Sequence, residues 1–380
     1  MIKAYNQTWV ENLHIQRRAS EWKSKNLLTA DQEEQVKALL PEKFYRPGIF
    51  VKIGLFFFAV IACSFFAGLL SLFVGDTGSD VSFSTASLIC CACFLFYLEY
   101  LIRTKNLFHS GVDNALLYAA VVAAMVPVFL LFEHAPLWLY CVIALALVIP
   151  ATLRYADLLG PIAIFGLVFT IVAELMMKFT AGKALLPFAV MILSGSIYVL
   201  ARQSRDIYYK ECRQILEVLS LATFYLGGNY LVVRELNAVI NGLNLSVAPQ
   251  IAFAPLFYFF TFVIPVAYVI FGLKNADRIL LIVGLVAFAF SAYTYLNYFS
   301  PLSASQELVL AGTLLISAAI ALIKYLKTPR GGISDEQDRR NSLANLQAII
   351  AAQQLGVSPG EQGLEFGGGN FGGGGAGEVY

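Results

Sequence analysis

The feature that most constrains this chain is a succession of ten apolar runs that fill almost all of residues 49–326. A helix needs about 20 apolar residues to cross the hydrocarbon core of a bilayer. Lipid offers the backbone no hydrogen bonds, so each run is expected to be a helix. The predicted spans are 49–74, 81–102, 114–132, 136–153, 157–177, 184–201, 214–233, 251–272, 278–298 and 307–326. The chain is 58% hydrophobic and only 13% charged, so we predict an all-α, polytopic transmembrane bundle of about ten helices in residues 48–326.

Lysine and arginine residues predict the orientation of this bundle. If the N-terminus is cytoplasmic, only Lys178, Lys183 and Arg234 of the 26 Lys and Arg residues fall on the outer side. Positively charged loops favour the cytoplasmic side of a membrane. We therefore expect both termini in the cytoplasm and an even number of spans. The formal net charge of +1 leaves no basic excess for nucleic acid, which is not an expected partner.

Residues 1–47 predict a short cytoplasmic helical hairpin. Apolar residues recur at helical spacing from Val10 to Trp22, and Thr29 with Gln32 has the spacing of a capping box that opens a second helix. Pro41 is expected to end that helix. The hairpin is either a stub that orients the first span or a module that docks a partner through exposed side chains such as Trp22.

The N-terminal third resembles a known family. The segments "EWKSKNLLTADQEEQVKALL" and "VKIGLFFFAVIACSFFAGLL" are similar to uncharacterised bacterial membrane proteins of the domain of unknown function 2157 family. In that family a Trp-containing helix, a turn into a Gln/Glu-rich helix and a polytopic region follow one another. The family's usual glycine in the interhelical turn is absent here, where Asn26, Leu27 and Leu28 stand. The resemblance implies an architecture and a location in the bacterial inner membrane, and it implies no activity.

Few ionisable residues fall inside the predicted spans. Glu99 precedes Arg103 by four residues, Glu217 follows Arg213 by four, and a third pair of this spacing begins at Glu174. Such spacing places a cation beside each carboxylate on a helix. One interpretation is anchoring at the membrane interface, with basic side chains that reach toward water. The other makes Glu99 or Glu217 a proton-carrying group beside a cavity.

The stretch "FYLGGNYL" predicts a helix break within the seventh run. Gly227 and Gly228 have no side chains, and Asn229 places an amide in an apolar helix. A broken helix can expose backbone groups to a substrate, as in transporters. The alternative is close helix packing, with Asn229 hydrogen-bonded to a neighbouring helix. Ser194 and Ser196 in the sixth run are candidate partners for that bond.

The sequence predicts no catalytic, cofactor or metal site. Cys90 and Cys93 share a helix face in "LICCACFLF", but no His or acidic residue lies beside them, so the six cysteines are expected to pack as small apolar residues. The three histidines are scattered at or beyond the membrane edges and show no ligand spacing. No nucleophile elbow, zinc-binding helix or phosphate-binding loop is present.

The C-terminal region predicts two further segments. Residues 327–356 have the pattern of a cytoplasmic amphipathic helix, and residues 357–380 form a Gly-rich tail expected to be disordered. The tail leads into no helix and carries no lysine, which excludes a phosphate-binding loop. It is either a flexible leash or a peptide that docks into a partner through Phe366, Phe371 and Tyr380.

These patterns favour a non-enzymatic envelope component embedded in the lipid bilayer. It would recruit a protein partner through residues 1–47 and 333–380. The alternative is a permease or lipid-handling transporter with its site at the break between Gly227 and Asn229. An enzyme is the least supported class, because no catalytic group of residues can be assembled from the sequence.

Overall fold

The computed structural model describes residues 3–25, 27–74, 79–179, 181–243 and 248–299, with single positions between 305 and 324. In this part of the chain the secondary structure is helical, and the fold is an all-α bundle as predicted. The helices are α1 (Gln7–Ser24), α2 (Ala30–Leu39), α3 (Ile49–Val74), α4 (Asp80–Lys105), α5 (Val112–Leu131), α6 (Leu137–Tyr155), α7 (Leu159–Met177), α8 (Gly182–Gln203), α9 (Lys210–Gly228), α10 (Tyr230–Ile240), α11 (Ala254–Lys274) and α12 (Arg278–Phe299), with a 3-10 turn at Ile207–Tyr209.

The predicted membrane spans are confirmed as long apolar helices over most of the chain. Among the described residues, α3–α8, α11 and α12 are eight helices long and apolar enough to cross a bilayer. The pair Ile207–Gly228 and Tyr230–Ile240 would make a ninth if it is one span, but the pair is bent by 76°. The predicted tenth span, 307–326, lies almost wholly outside the described residues.

Helices that are neighbours in sequence pack against each other. α4 lies against α5, α6 against α7, α8 against α9, and α11 against α12, while α3 contacts both α4 and α5. One buried apolar cluster joins α3, α4 and α5 around Leu98 and Leu116, and others join α8–α12 around Tyr225, Tyr230 and Phe257. Large apolar side chains are exposed along the outer surfaces of the helices, as expected where lipid covers a protein.

The helices α1 and α2 form a hairpin at one end of the bundle. Asn6 caps α1 by accepting a hydrogen bond from the Trp9 amide at 3.2 Å. The capping box predicted at Thr29 and Gln32 is present, with both reciprocal bonds formed. We call this end of the bundle the hairpin face. It includes the loops 106–111, 156–158 and 204–209, which connect the spans that precede and follow them.

Candidate functional site

The predicted helix break is at the expected position. α9 ends at Gly228, and Asn229 is the N-cap of α10, with its side chain accepting a hydrogen bond from the Val232 amide at 3.2 Å. The glycines allow neighbouring helices to approach closely. A Cβ on Gly228 would lie 2.7 Å from the Cδ1 of Ile264, and one on Gly227 would lie 3.2 Å from Met191. The break is therefore built into a helix–helix contact.

Asn229 is buried and is bonded within the protein. Its amide nitrogen donates to the Tyr225 hydroxyl at 2.8 Å and to Thr294 Oγ1 at 3.0 Å. The Tyr225 hydroxyl lies 2.8 Å from Ser291 Oγ, which donates to the Thr261 carbonyl. Hydroxyl groups of α9 and α12 thus satisfy the Asn229 amide, and a backbone carbonyl of α11 extends the buried polar network. This geometry favours packing over substrate binding at the break.

The prediction that Ser194 or Ser196 bonds to Asn229 is wrong. Ser194 Oγ donates to the carbonyls of Val190 and Met191, and Ser196 Oγ donates to the carbonyl of Ile192 at 2.8 Å. A serine inside a helix can bond to the carbonyl four residues earlier, and both serines on α8 do so. The sequence offered no means to rank α8 below α12, which supplies Thr294, as the neighbouring partner.

The three carboxylate pairs predicted on the spans all form. The distances are 3.7 Å for Glu99 and Arg103, 3.4 Å for Glu217 and Arg213, and 3.6 Å for Glu174 and its lysine four residues on. These are loose pairs at partly exposed sites, as expected for residues that anchor helix ends at the interface.

Glu99 has a second and closer set of partners. Arg154 Nε lies 2.7 Å from Glu99 Oε1, and the Tyr155 hydroxyl donates to the same oxygen at 2.6 Å. Both partners come from α6, which local spacing could not reveal. These groups stand at one end of an apolar cavity of about 430 Å³ between α4, α5 and α6. Arg154 and Tyr155 thus satisfy the Glu99 carboxylate with hydrogen bonds from within the protein.

The hairpin is fixed to the bundle through its first residues. The Ala4 amide donates to the Arg154 carbonyl at 3.0 Å, and Lys3 Nζ lies 2.6 Å from Asp206 Oδ2. Burial alone would raise the pKa of Asp206, but the hydrogen bonds from Lys3 and from the Tyr208 amide lower it overall. The buried Tyr5 donates its hydroxyl proton to Asp113 Oδ2 at 2.9 Å. Burial, and then the charge of Asp113, raises the pKa of Tyr5 well above its ordinary value, so Tyr5 stays a donor.

Two buried aspartates organise the hairpin face, and the sequence prediction missed both. Asp113 Oδ1 accepts hydrogen bonds from the amide and hydroxyl of Ser110 and from the Gly111 amide. Asp157 accepts from Asn114, from Tyr118 and from the first amides of α7. Their position in the sequence could have indicated this role. Each aspartate lies beside a loop that precedes an apolar helix, where an aspartate side chain can accept hydrogen bonds from free backbone amides.

The far side of the hairpin exposes large apolar side chains. The side chains of Trp22, Leu27 and Leu39 are 49%, 68% and 79% exposed. The hairpin nevertheless has a defined shape, because Glu33 on α2 bonds to Lys23 on α1 at 2.8 Å and to Lys37 at 2.7 Å. Those hydrogen bonds lower the pKa of Glu33. Phe366, Phe371 and Tyr380, the other predicted docking residues, lie outside the described residues.

Two histidines that are far apart in sequence line one cavity. His14 on α1 and His109 in the loop before α5 border a cavity of about 270 Å³ between the hairpin and the bundle. In the part of the chain that the structure describes, no group of three or more His, Cys, Asp or Glu side chains could hold a metal ion. Cys90 is buried and Cys93 is exposed, and both are free thiols.

Comparison with known proteins gives no relative for this chain: no family model, curated protein or solved structure matches it. The resemblance of the N-terminal third to the domain of unknown function 2157 family stays a prediction.

Proposed function

We propose that this chain is a non-enzymatic component of the bacterial inner membrane that recruits a protein partner through its α1–α2 hairpin. The observation that carries the proposal is the exposed position of Trp22 and Leu27 at the turn of a hairpin whose base is fixed. Exposed apolar groups of this size mark contact surfaces on soluble parts of proteins.

The fixed base makes the hairpin suited to presenting a surface. Lys3, Tyr5 and Arg17 each bond to a different part of the bundle, the last through Glu211 at 2.8 Å. A partner that contacts a preorganised hairpin does not have to order it, so less conformational entropy is lost on binding. The multi-pass bundle would then serve as the anchor that holds this surface at the membrane.

The chemistry around the exposed residues favours a protein over lipid as the occupant. Glu21 and Lys23 stand on either side of Trp22 in the sequence, and Lys25 lies two residues before Leu27. An apolar centre with a rim of both charge signs is typical of a protein interface, and Trp is enriched among residues that contribute most to binding.

Site-specific photo-crosslinking in intact cells tests this proposal. A photoreactive residue at position 27 should give a discrete protein adduct, because Leu27 is exposed at the turn. The matched control places the same residue at position 34, where Glu34 is exposed on α2 but lies away from the apolar turn. The adduct should disappear in the Trp22→Ala background. Crosslinks only to lipid, only to the chain's own C-terminal segment, or equally from both positions would contradict the proposal.

A permease that uses the break is the second candidate, and the 76° bend between α9 and α10 is the observation that favours it. Proteoliposomes containing the protein would be screened with sugars, amino acids and inorganic ions. Any uptake should be abolished by Asn229→Leu without loss of expression. Uptake that persists in this variant excludes a site at the break.

The predicted topology belongs to the same proposal. The distribution of Lys and Arg supports a cytoplasmic hairpin, with both termini on that side. The resemblance to the domain of unknown function 2157 family supports the inner membrane. On this account the Gly-rich tail is a leash beside the hairpin, and Glu99 and Glu217 anchor helix ends.

A further inference from the structure

The cavity between α1 and the bundle has a strongly charged lining. One face of α1 contributes His14, Arg17, Arg18 and Glu21, which recur at intervals of three and four residues. The opposite wall contributes Phe108, His109, Tyr208, Lys210 and Glu211 from loops of the hairpin face and the start of α9. The residues that line the cavity come from segments that are distant in sequence, so no local sequence motif predicts it.

The cations of this cavity outnumber its anions. Arg17 is neutralised by Glu211, at 2.8 Å between Nη1 and Oε1. Arg18 and Lys210 have no carboxylate within 4.0 Å among the residues that the structure describes, while Glu21 supplies one opposing charge at the rim. Burial, followed by the charges of Lys210, Arg18 and Arg17, lowers the pKa of His14. The part of that lowering that follows burial comes from three nearby cations, which place positive charge beside His14 at the cavity wall.

His109 lies in the cavity wall opposite α1. Its Nδ1 is shielded from solvent and has no hydrogen-bond partner within the described residues. The ring is held by Tyr5 and Phe108, with centroid separations of 5.3 and 4.5 Å. Burial lowers the pKa of His109, so the ring is neutral near pH 7 and one nitrogen can donate a hydrogen bond.

We infer that this cavity binds a phosphate group, with Arg18 and Lys210 supplying the charge and His14 and His109 supplying further hydrogen bonds. A volume of about 270 Å³ is below the usual range for drug-sized ligands and fits a single phosphate with a small substituent. The phosphate is either a free inorganic anion or the headgroup of an anionic lipid. This inference is independent of the partner proposed for the exposed turn of the hairpin.

The test uses full-length protein purified in mild detergent and titrated with inorganic phosphate at constant ionic strength. Saturable binding, measured by calorimetry, should weaken at least about tenfold in Arg18→Gln and in Lys210→Gln, since each removes one hydrogen bond to a charged group. Arg205→Gln is the matched control. Arg205 is exposed on the same face and does not line the cavity.

The second arm tests the lipid source. Protein is reconstituted in nanodiscs containing phosphatidylglycerol and analysed by native mass spectrometry. A phosphatidylglycerol molecule retained by the native chain and the Arg205 variant, but lost from the Arg18 and Lys210 variants, assigns the site to a lipid headgroup. Saturable binding of free phosphate with the same variant pattern assigns it to a free anion.

A third measurement does not depend on the variants folding. Phosphate, or phosphatidylglycerol in the nanodisc, should slow hydrogen exchange at residues 10–21 and 207–214 relative to chloride or phosphatidylcholine. The absence of binding in both arms, or an equal loss of binding in Arg205→Gln, would overturn the inference. Unchanged exchange at both segments would also overturn it.

Discussion

Replacing Tyr5 with phenylalanine should loosen α1 from the bundle. The hydroxyl of Tyr5 donates to Asp113 Oδ2 at 2.9 Å, and Asp113 is only 2% exposed. The other oxygen of this carboxylate keeps its bonds to Ser110 and Gly111, so the substitution removes one hydrogen bond to a buried charged group. Such a bond contributes about 1.5–3 kcal/mol. The ring and its apolar contacts stay in place, and no cavity larger than one oxygen atom is made.

The measurement is hydrogen exchange of the α1 amides in detergent or nanodiscs. If α1 exchanges by local opening from the bundle, the loss of about 1.5–3 kcal/mol accelerates its exchange by about 10- to 150-fold. Tyr45→Phe is the matched control, because Tyr45 is 48% exposed and its hydroxyl makes no hydrogen bond in the described structure. Equal exchange of α1 in the two variants would show that the contact between Tyr5 and Asp113 does not hold the hairpin.

Three further predictions concern the bundle and its loops. Asn229→Leu should lower the free energy of unfolding by about 1–3 kcal/mol, since it removes a helix cap and two buried hydrogen bonds. Thermal unfolding of this variant that matches the native chain would contradict the polar network around Asn229. Gly111→Ala should destabilise the protein severely, because Gly111 has a φ of 101° and an added Cβ would lie 2.3 Å from the Lys52 carbonyl oxygen. A normal yield and melting temperature of this variant would contradict the geometry of the loop. The free energy of unfolding should fall as the pH drops below about 6.5. Burial lowers the pKa of His109 in the folded chain, so below that pH the unfolded chain binds a proton at this histidine more readily than the folded chain does. His109→Gln should reduce this dependence, whereas the control His134→Gln, at an exposed position, should leave it unchanged.

The bundle could be predicted from the sequence because the membrane imposes a strong and local rule. Each apolar run of sufficient length has to satisfy its own backbone, so helix positions follow from hydropathy alone. The capping box at Thr29 and the break at Gly228 were also local patterns, and both are present in the structure. The predicted C-terminal helix and tail lie outside the described residues.

The site could not be predicted because it is assembled from segments far apart in the chain. His14 and His109 are separated by 95 positions yet line one cavity, and the spacing rules used to find ligand sets are local. The partner of Glu99 was missed for the same reason, since Arg154 reaches it from α6 while local spacing pointed to Arg103. Which helices touch depends on side-chain packing between spans, and hydropathy carries no information on it.

The measurement that tests the proposed function most directly is purification in mild detergent, with quantitative mass spectrometry of what is retained. The full-length chain would be compared with a Trp22→Ala, Leu27→Ala double variant and with a version that ends after Arg330. If the hairpin recruits a partner, one protein should be retained at a fixed ratio by the full-length and shortened chains and lost from the double variant. A partner that persists in the double variant, or no retained partner in any sample, would contradict recruitment by the hairpin. A partner lost only from the shortened chain would instead make the Gly-rich tail the ligand.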